Sequence, residues 1–155
     1  MRFFQHQFNR TVRLIVIQFF LLVGYTSCVR EPRILEYQKH SCDFCKMTLV
    51  DNHFGVLVET KKGRIYRFDD ISCMFRFQQQ NLQAVHELPV KMVIDFNHPG
   101  NLINAEEAFY LKAEQLAAPM NSRIAAFSSK KELEIYQRKL EGIYLVWGEL
   151  LTQFK

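Results

Sequence analysis

The sequence predicts an α+β fold: two tandem ββαβ units packed as one body, behind an N-terminal signal segment. Three observations predict it. The order strand, turn, strand, helix, strand occurs twice along the chain. The two halves align at an offset of about 59 residues: Gly63-Arg64-Ile65 falls on Ser122-Arg123-Ile124, Phe68 on Phe127, Phe77 on Tyr136 and Gln78 on Gln137. Neither half alone has enough residues for a secure core, so the two are expected to fold together.

The first 27 residues carry Arg2, Arg10 and Arg13 and no acid, ahead of an apolar run from Leu14 to Val23 broken only by Gln18. Ten residues are too short for a bilayer-spanning helix, which needs roughly 20. The length suits the apolar core of a secretory signal. Thr26 and Ser27 then lead into Cys28, in the order of a bacterial lipoprotein signal. In that reading Cys28 is lipidated, residues 1–27 are removed, and the protein is a membrane-anchored lipoprotein facing the periplasm. Tyr25 stands where such signals usually carry an aliphatic residue, so an uncleaved anchor with unmodified Cys28 is the alternative. Residues 28–41, with Pro32, read as a tether between bilayer and domain. Once the leader is set aside, 17 basic side chains face 16 acidic ones. No basic stripe remains, so nothing points to nucleic acid and none is expected as a partner.

The first unit is assigned to residues 42–97. Phe54 to Glu59 is rich in apolar and β-branched residues, Lys61-Lys62-Gly63 is a turn, and Arg64 to Phe68 alternates, so the two runs form a hairpin. Asp69 or Asp70 supplies an N-cap. Ile71, Met74, Phe75 and Gln78 recur at helical spacing, predicting a helix from Ile71 to about Asn81. Val90 to Phe96 reads as a strand. Asn97 to Asn101 is the expected link to the second unit, assigned to 98–155. There, Ala108 to Lys112 and Arg123 to Phe127 read as strands around the turn Pro119-Met120-Asn121-Ser122. Ser129 with Glu132 three residues later predicts a capping box opening a helix from Lys130 to Leu140. Gly142 is expected to stop it, and Ile143 to Trp147 to close the unit as a strand.

Chemistry concentrates in Cys42-Asp43-Phe44-Cys45-Lys46-Met47, three sulfur donors in six residues. Thiolate and thioether donors select soft ions, above all Cu(I), whereas structural zinc prefers cysteine and histidine. Residues i and i+2 of extended backbone point the same way, so Cys45 and Met47 are expected to face one ion. Met120 lies in a turn where a core role is less natural, and a thioether reaching the first half is one reason for it. Secondary candidates are Cys42, Cys73, Met74, His40 and His53. Cys73 lies in the first turn of a helix, where a thiol ionises readily, while Met74 falls on the apolar stripe and is better read as core. Two rival readings stay open. Cys42 and Cys45 form a redox disulfide in an exported thiol–disulfide protein, or the chain is a lipid-anchored adaptor with a structural zinc site that includes Cys73 and a histidine. No nucleophile motif, phosphate loop or spaced acid pair points to an enzyme.

From Cys42 to about Leu150 the chain resembles the NosL family, the copper-binding accessory lipoproteins of nitrous oxide reductase. The resemblance rests on three stretches: Cys42-Asp43-Phe44-Cys45-Lys46-Met47 against Cys-x-x-Cys-Gly-Met, Phe68-Asp69-Asp70-Ile71-Ser72-Cys73-Met74 against Phe-Asp-Asp-x-x-Cys-Met, and Pro119-Met120 with Ala126-Phe127 against Pro-Met-Gly with a nearby Ala-Phe. It implies a Cu(I) metallochaperone of denitrification, handing copper to the membrane assembly that matures nitrous oxide reductase. The ligands it implies are Cys45, Met47 and Met120. Lys46 and Asn121 depart from the motifs, each standing where the family has glycine.

Overall fold

The computed structural model describes residues 31–81 and 89–154. The signal segment, Cys28, His6 and His86 lie outside the described residues. Among the described residues no helix is long and apolar enough to cross a membrane.

The elements are β1 (Val56–Glu59), β2 (Ile65–Phe68), α1 (Ile71–Gln80), β3 (Val90–Ile94), β4 (Leu102–Asn104), β5 (Phe109–Lys112), β6 (Ile124–Phe127), α2 (Lys130–Leu140), β7 (Ile143–Leu145) and α3 (Trp147–Gln153). They form two antiparallel sheets, ordered β2-β1-β3-β4 and β6-β5-β7. The ββαβ order therefore occurs twice, as the sequence predicts. Register makes the correspondence residue-specific. Val56 pairs with Phe68 and Phe109 with Phe127, while Leu57 pairs with Met92 and Tyr110 with Leu145. The offset of 59 holds for β2 and α1, but the register sets it at 53 for β1 and β3. The loop between β5 and β6 is longer than its counterpart by six residues, and the helix and the connection after it are together shorter by the same six. The lengthened loop is the one that carries Met120.

A shared core runs through both halves. Val56, Val58, Phe68, Met74, Tyr110, Ile124, Ala126, Leu145 and Leu150 lie in one buried cluster. The opposite face of the second sheet, with Leu111, Ala125 and Phe127, packs with Leu133 of α2 in another. Alternate residues of β5 and β6 thus serve opposite faces, the period-two pattern of a sheet buried on both sides. The sheets also touch through backbone: Phe96 N–H donates to the Ala126 carbonyl at 2.8 Å, beside a parallel bridge between Asp95 and Ala126.

Several local expectations are corrected. Asn97 to Asn101 is a turn within the first sheet, because β4 pairs antiparallel with β3. Residues 34–41, assigned to a tether, belong to the folded body: Leu35 and Tyr37 pack against the core, Tyr37 donates its hydroxyl to the Phe54 carbonyl at 2.7 Å, and Gln38 N–H reaches the Leu49 carbonyl. The closing strand stops at Leu145 and α3 follows. The Val146 N–H donates to the Glu149 carboxylate, and Phe154 stacks on Phe75 of α1 with ring centroids 4.5 Å apart. Ser129 caps α2 without a side-chain hydrogen bond, so no capping box forms. Its expected partner, Glu132, instead accepts from the Asn97 side chain. Glu141, not Gly142, takes the left-handed conformation that ends α2. Gly142 is required for space, since a Cβ there would lie 2.7–2.9 Å from Leu111, Lys112 and Ala113 atoms.

Candidate metal centre

The loop from Cys42 to Met47 is a tight turn pinned to the edge strand β2. Its mouth is closed by a bridge between Ser41 and Thr48, and inside it Cys42 N–H donates to the Met47 carbonyl at 2.8 Å and Lys46 N–H to the Cys42 carbonyl at 3.0 Å. Asp43 fastens the loop to β2. Its N–H donates to the Arg67 carbonyl at 2.7 Å, and its carboxylate accepts the Arg67 N–H at 2.7 Å. A bare strand edge is thereby covered. The turn closes because Lys46 adopts φ 66°, in the left-handed region. The extended backbone expected between Cys45 and Met47 is therefore absent, and a shared i, i+2 direction is not what relates their sulfurs.

On the other side of the centre, Asp70 caps α1 by accepting the Ser72 N–H at 2.7 Å. Its second oxygen accepts the N–H of Met120 at 3.2 Å and of Ser122 at 3.4 Å. One buried carboxylate thus caps the helix of the first half and holds the Pro119-Met120 turn of the second half beside it. Asn121 in that turn has φ 57°, so it and Lys46 both sit on left-handed backbone. Asparagine tolerates this region better than lysine.

Between these two anchors the chain gathers Cys42, Cys45, Cys73 and Asp69, with one donor atom from each lying within 4.8 Å of all the others. The three thiols are free. Cys42 and Cys73 are fully buried, at 0% exposure, and Cys45 is half-buried. The Cys45 thiol donates to Asp69 Oδ2 at 3.5 Å, while Asp69 Oδ1 is buried with no hydrogen-bond partner among the described residues. A buried carboxylate oxygen left in that state costs roughly 1–3 kcal/mol, which a bound cation would relieve.

The thiols are not equivalent. A hydrogen bond from the Cys73 thiol, together with the N–H groups of Asp69, Cys45 and Phe44, outweighs burial and draws Cys42 down to about 6. Burial, with the neighbouring Cys42 and Asp69, pushes Cys45 up to about 11. Cys73 is held well above the ordinary thiol range, first because it donates to Cys42 and then by burial. The ready thiolate expected at Cys73, in the first turn of the helix, is instead Cys42 of the loop, because Cys73 donates its proton to it.

The other candidates are placed as follows. Met47 is 60% exposed, at the end of the sulfur loop. Met120 is half-buried against the core cluster that contains Cys42 and Cys73, and Cys45 packs against the same cluster. Met74 is fully buried core. His40 faces Glu36, with its Nδ1 accepting the Glu36 N–H at 3.0 Å, and His53 faces Asp51 at 3.0 Å. Neither histidine belongs to the thiol cluster. Asp69 is the member that sequence reasoning passed over. Two adjacent aspartates precede one helix, and since a single N-cap position exists, one of them is free for other work.

A family model, NosL, matches residues 35–154. Among solved structures, the copper chaperone NosL from Shewanella denitrificans matches with a TM-score of 0.62 and 22% identity, over 77% of this chain and 96% of that one. That likeness is one of fold. No curated protein matches.

Proposed function

The chain belongs to the NosL family, and on that premise we propose that it binds copper as Cu(I) and carries it as cargo rather than catalysing a reaction. The observation that carries the reading is the convergence of three thiols from two separate segments, with donor atoms within 4.8 Å of one another. Sulfur-rich sites favour Cu(I) over harder ions. Cys45 is the half-exposed thiol of the group and, with Met47 and Met120, forms the exchangeable mouth. Cys42 and Cys73, fully buried, stand behind it as the retaining pair. Release then proceeds by ligand exchange, with thioethers giving way before thiolates. Loading displaces thiol protons, so affinity rises with pH.

The finer readings are proposals of the same kind. The acceptor is the membrane assembly that matures nitrous oxide reductase. The protein is exported and held at the bilayer through Cys28, facing the periplasm. A thiol–disulfide enzyme is disfavoured because the two requirements of a reactive thiol are split: Cys42, drawn down to about 6, is fully buried, while the half-exposed Cys45 is pushed up to about 11. The test is an anaerobic titration of Cu(I) against a competing chelator. Cys45→Ser is expected to weaken binding by more than the roughly 10–100-fold that loss of an outer-shell partner causes. Met47→Ala and Met120→Ala are expected to weaken it less and to slow transfer to a chelator. Unchanged affinity in Cys45→Ser and Met120→Ala would place the copper site elsewhere, and preference for Zn²⁺ over Cu(I) would favour the structural-zinc adaptor.

A further inference from the structure

We propose that Asp95, His98 and Glu132 form a second metal site, built only from nitrogen and oxygen donors, which takes a divalent first-row cation such as Zn²⁺. One donor atom from each residue lies within 4.8 Å of the other two. The three come from three pieces of chain: Asp95 follows β3, His98 lies in the turn before β4, and Glu132 lies in the first turn of α2.

The cluster has the supporting bonds of a built site. Asp95, 2% exposed, accepts the Asn97 N–H on Oδ1 at 3.1 Å and the Ser128 hydroxyl on Oδ2 at 2.5 Å. Its Oδ2 also lies 3.0 Å from His98 Nδ1. Glu132 Oε1 accepts from the Asn97 side chain at 2.8 Å, and the Tyr136 hydroxyl in turn donates to that side chain at 3.1 Å. Such outer-shell bonds orient metal ligands and are a recurrent part of metal sites. Glu132 Oε2 is buried and has no hydrogen-bond partner among the described residues. The other Glu132 oxygen, Oε1, also lies 3.7 Å from His98 Nε2, so the imidazole stands between the two carboxylates and a cation would serve the oxygen left without a donor.

Two carboxylates and one imidazole suit borderline and hard divalent ions, not Cu(I). Zinc takes such ligands at roughly 2.0–2.2 Å, which sets tetrahedral donors about 3.3–3.6 Å apart. The donors now lie within 4.8 Å of one another, and binding would draw them in to that spacing. His98 is 48% exposed, so a path from solvent exists and a fourth position is open to water. Glu132 belongs to the second half, whereas Asp95 and His98 belong to a hairpin of the first sheet. A bound ion would cross-link the halves where Phe96 N–H already meets the Ala126 carbonyl.

This inference is independent of the copper reading, and one titration separates them. Metal-stripped full chain is titrated with Co²⁺, whose spectrum distinguishes ligand types. The expected signal is visible d–d absorption of four-coordinate Co²⁺ without sulfur-to-metal charge transfer. Zn²⁺ should displace it, and added Zn²⁺ should raise Tm. His98→Ala and Glu132→Gln, both at partly exposed positions, should weaken this signal at least roughly tenfold and abolish the Tm rise, while any charge-transfer bands from the thiols persist. Affinity unchanged in both variants, Co²⁺ bound only with sulfur charge transfer, or no Co²⁺ bound at all would each overturn the proposal.

Discussion

Asp70→Asn separates two jobs that one carboxylate performs. Asparagine caps a helix as well as aspartate does, so the bond from Ser72 N–H survives on the side-chain carbonyl. The other oxygen becomes an NH₂ group, which faces the N–H groups of Met120 and Ser122 that Asp70 now accepts at 3.2 and 3.4 Å. Both donors lose their acceptor. An orphaned buried donor costs roughly 1–3 kcal/mol. These bonds are long and only part-buried, so the low end applies and the sum is about 2 kcal/mol. For a domain of this size that lowers Tm by roughly 6–10 °C. Asp70→Ala removes the cap as well and should cost about 1 kcal/mol more. Thermal and denaturant unfolding measure both, and amide hydrogen exchange should show Met120 and Ser122 losing protection while α1 keeps its own. The Asp70→Asn protein should also bind Cu(I) more weakly, because the Met120 turn is no longer held against the start of α1. If Asp70→Asn unfolds at the parent temperature with unchanged exchange at Met120, the carboxylate is a helix cap and nothing more.

Two further outcomes follow from the same centre. Lys46→Gly relieves a left-handed lysine at φ 66°. It forfeits only an exposed bond from the Lys46 ammonium to the Asp43 carbonyl, so a gain of up to about 1 kcal/mol is expected, read as a raised denaturation midpoint; a loss would mean the lysine is needed to shape the loop. In metal-free protein, thiolate absorbance should rise as pH increases through about 6, because Cys42 ionises first. The folded pKa lies below that of an unfolded thiol, so the stability this group contributes is full above roughly pH 8.5 and fades as pH falls through about 6. Cys42→Ser should abolish that step, and its persistence in the variant would assign the early thiolate to another cysteine.

Much of the fold was legible because it is written in local terms. An apolar, β-branched run marks β1, alternation marks β2, short runs either side of a turn mark β5 and β6, and the helical spacing of Ile71, Met74 and Phe75 marks α1. The Lys130–Leu140 helix lies where the periodicity places it. What escaped depends on distant partners. Three residues are too few for β4 to show a period, and only pairing with β3 makes it a strand. The apolar run Ile143 to Trp147 reads as one strand until Trp147 and Phe154 find Phe75, a residue of the other half. Ser129 and Glu132 spell a capping box, but the Glu132 carboxylate is taken by Asn97.

The residues by themselves determined which chemistry is present: thiols and thioethers in one short loop, a cysteine opening a helix, and a methionine in a turn of the second half. Donor type is a property of the side chain and needs no fold to be read. Only the tertiary structure decided which donors meet. The fold brings Cys42, Cys45, Cys73 and Asp69 within 4.8 Å, ranks the three thiols by burial and by the hydrogen bonds they receive, and sets Asp95, His98 and Glu132 together across the junction of the two halves. Spacing along the chain cannot supply this, because proximity between distant segments depends on how the sheets and helices pack.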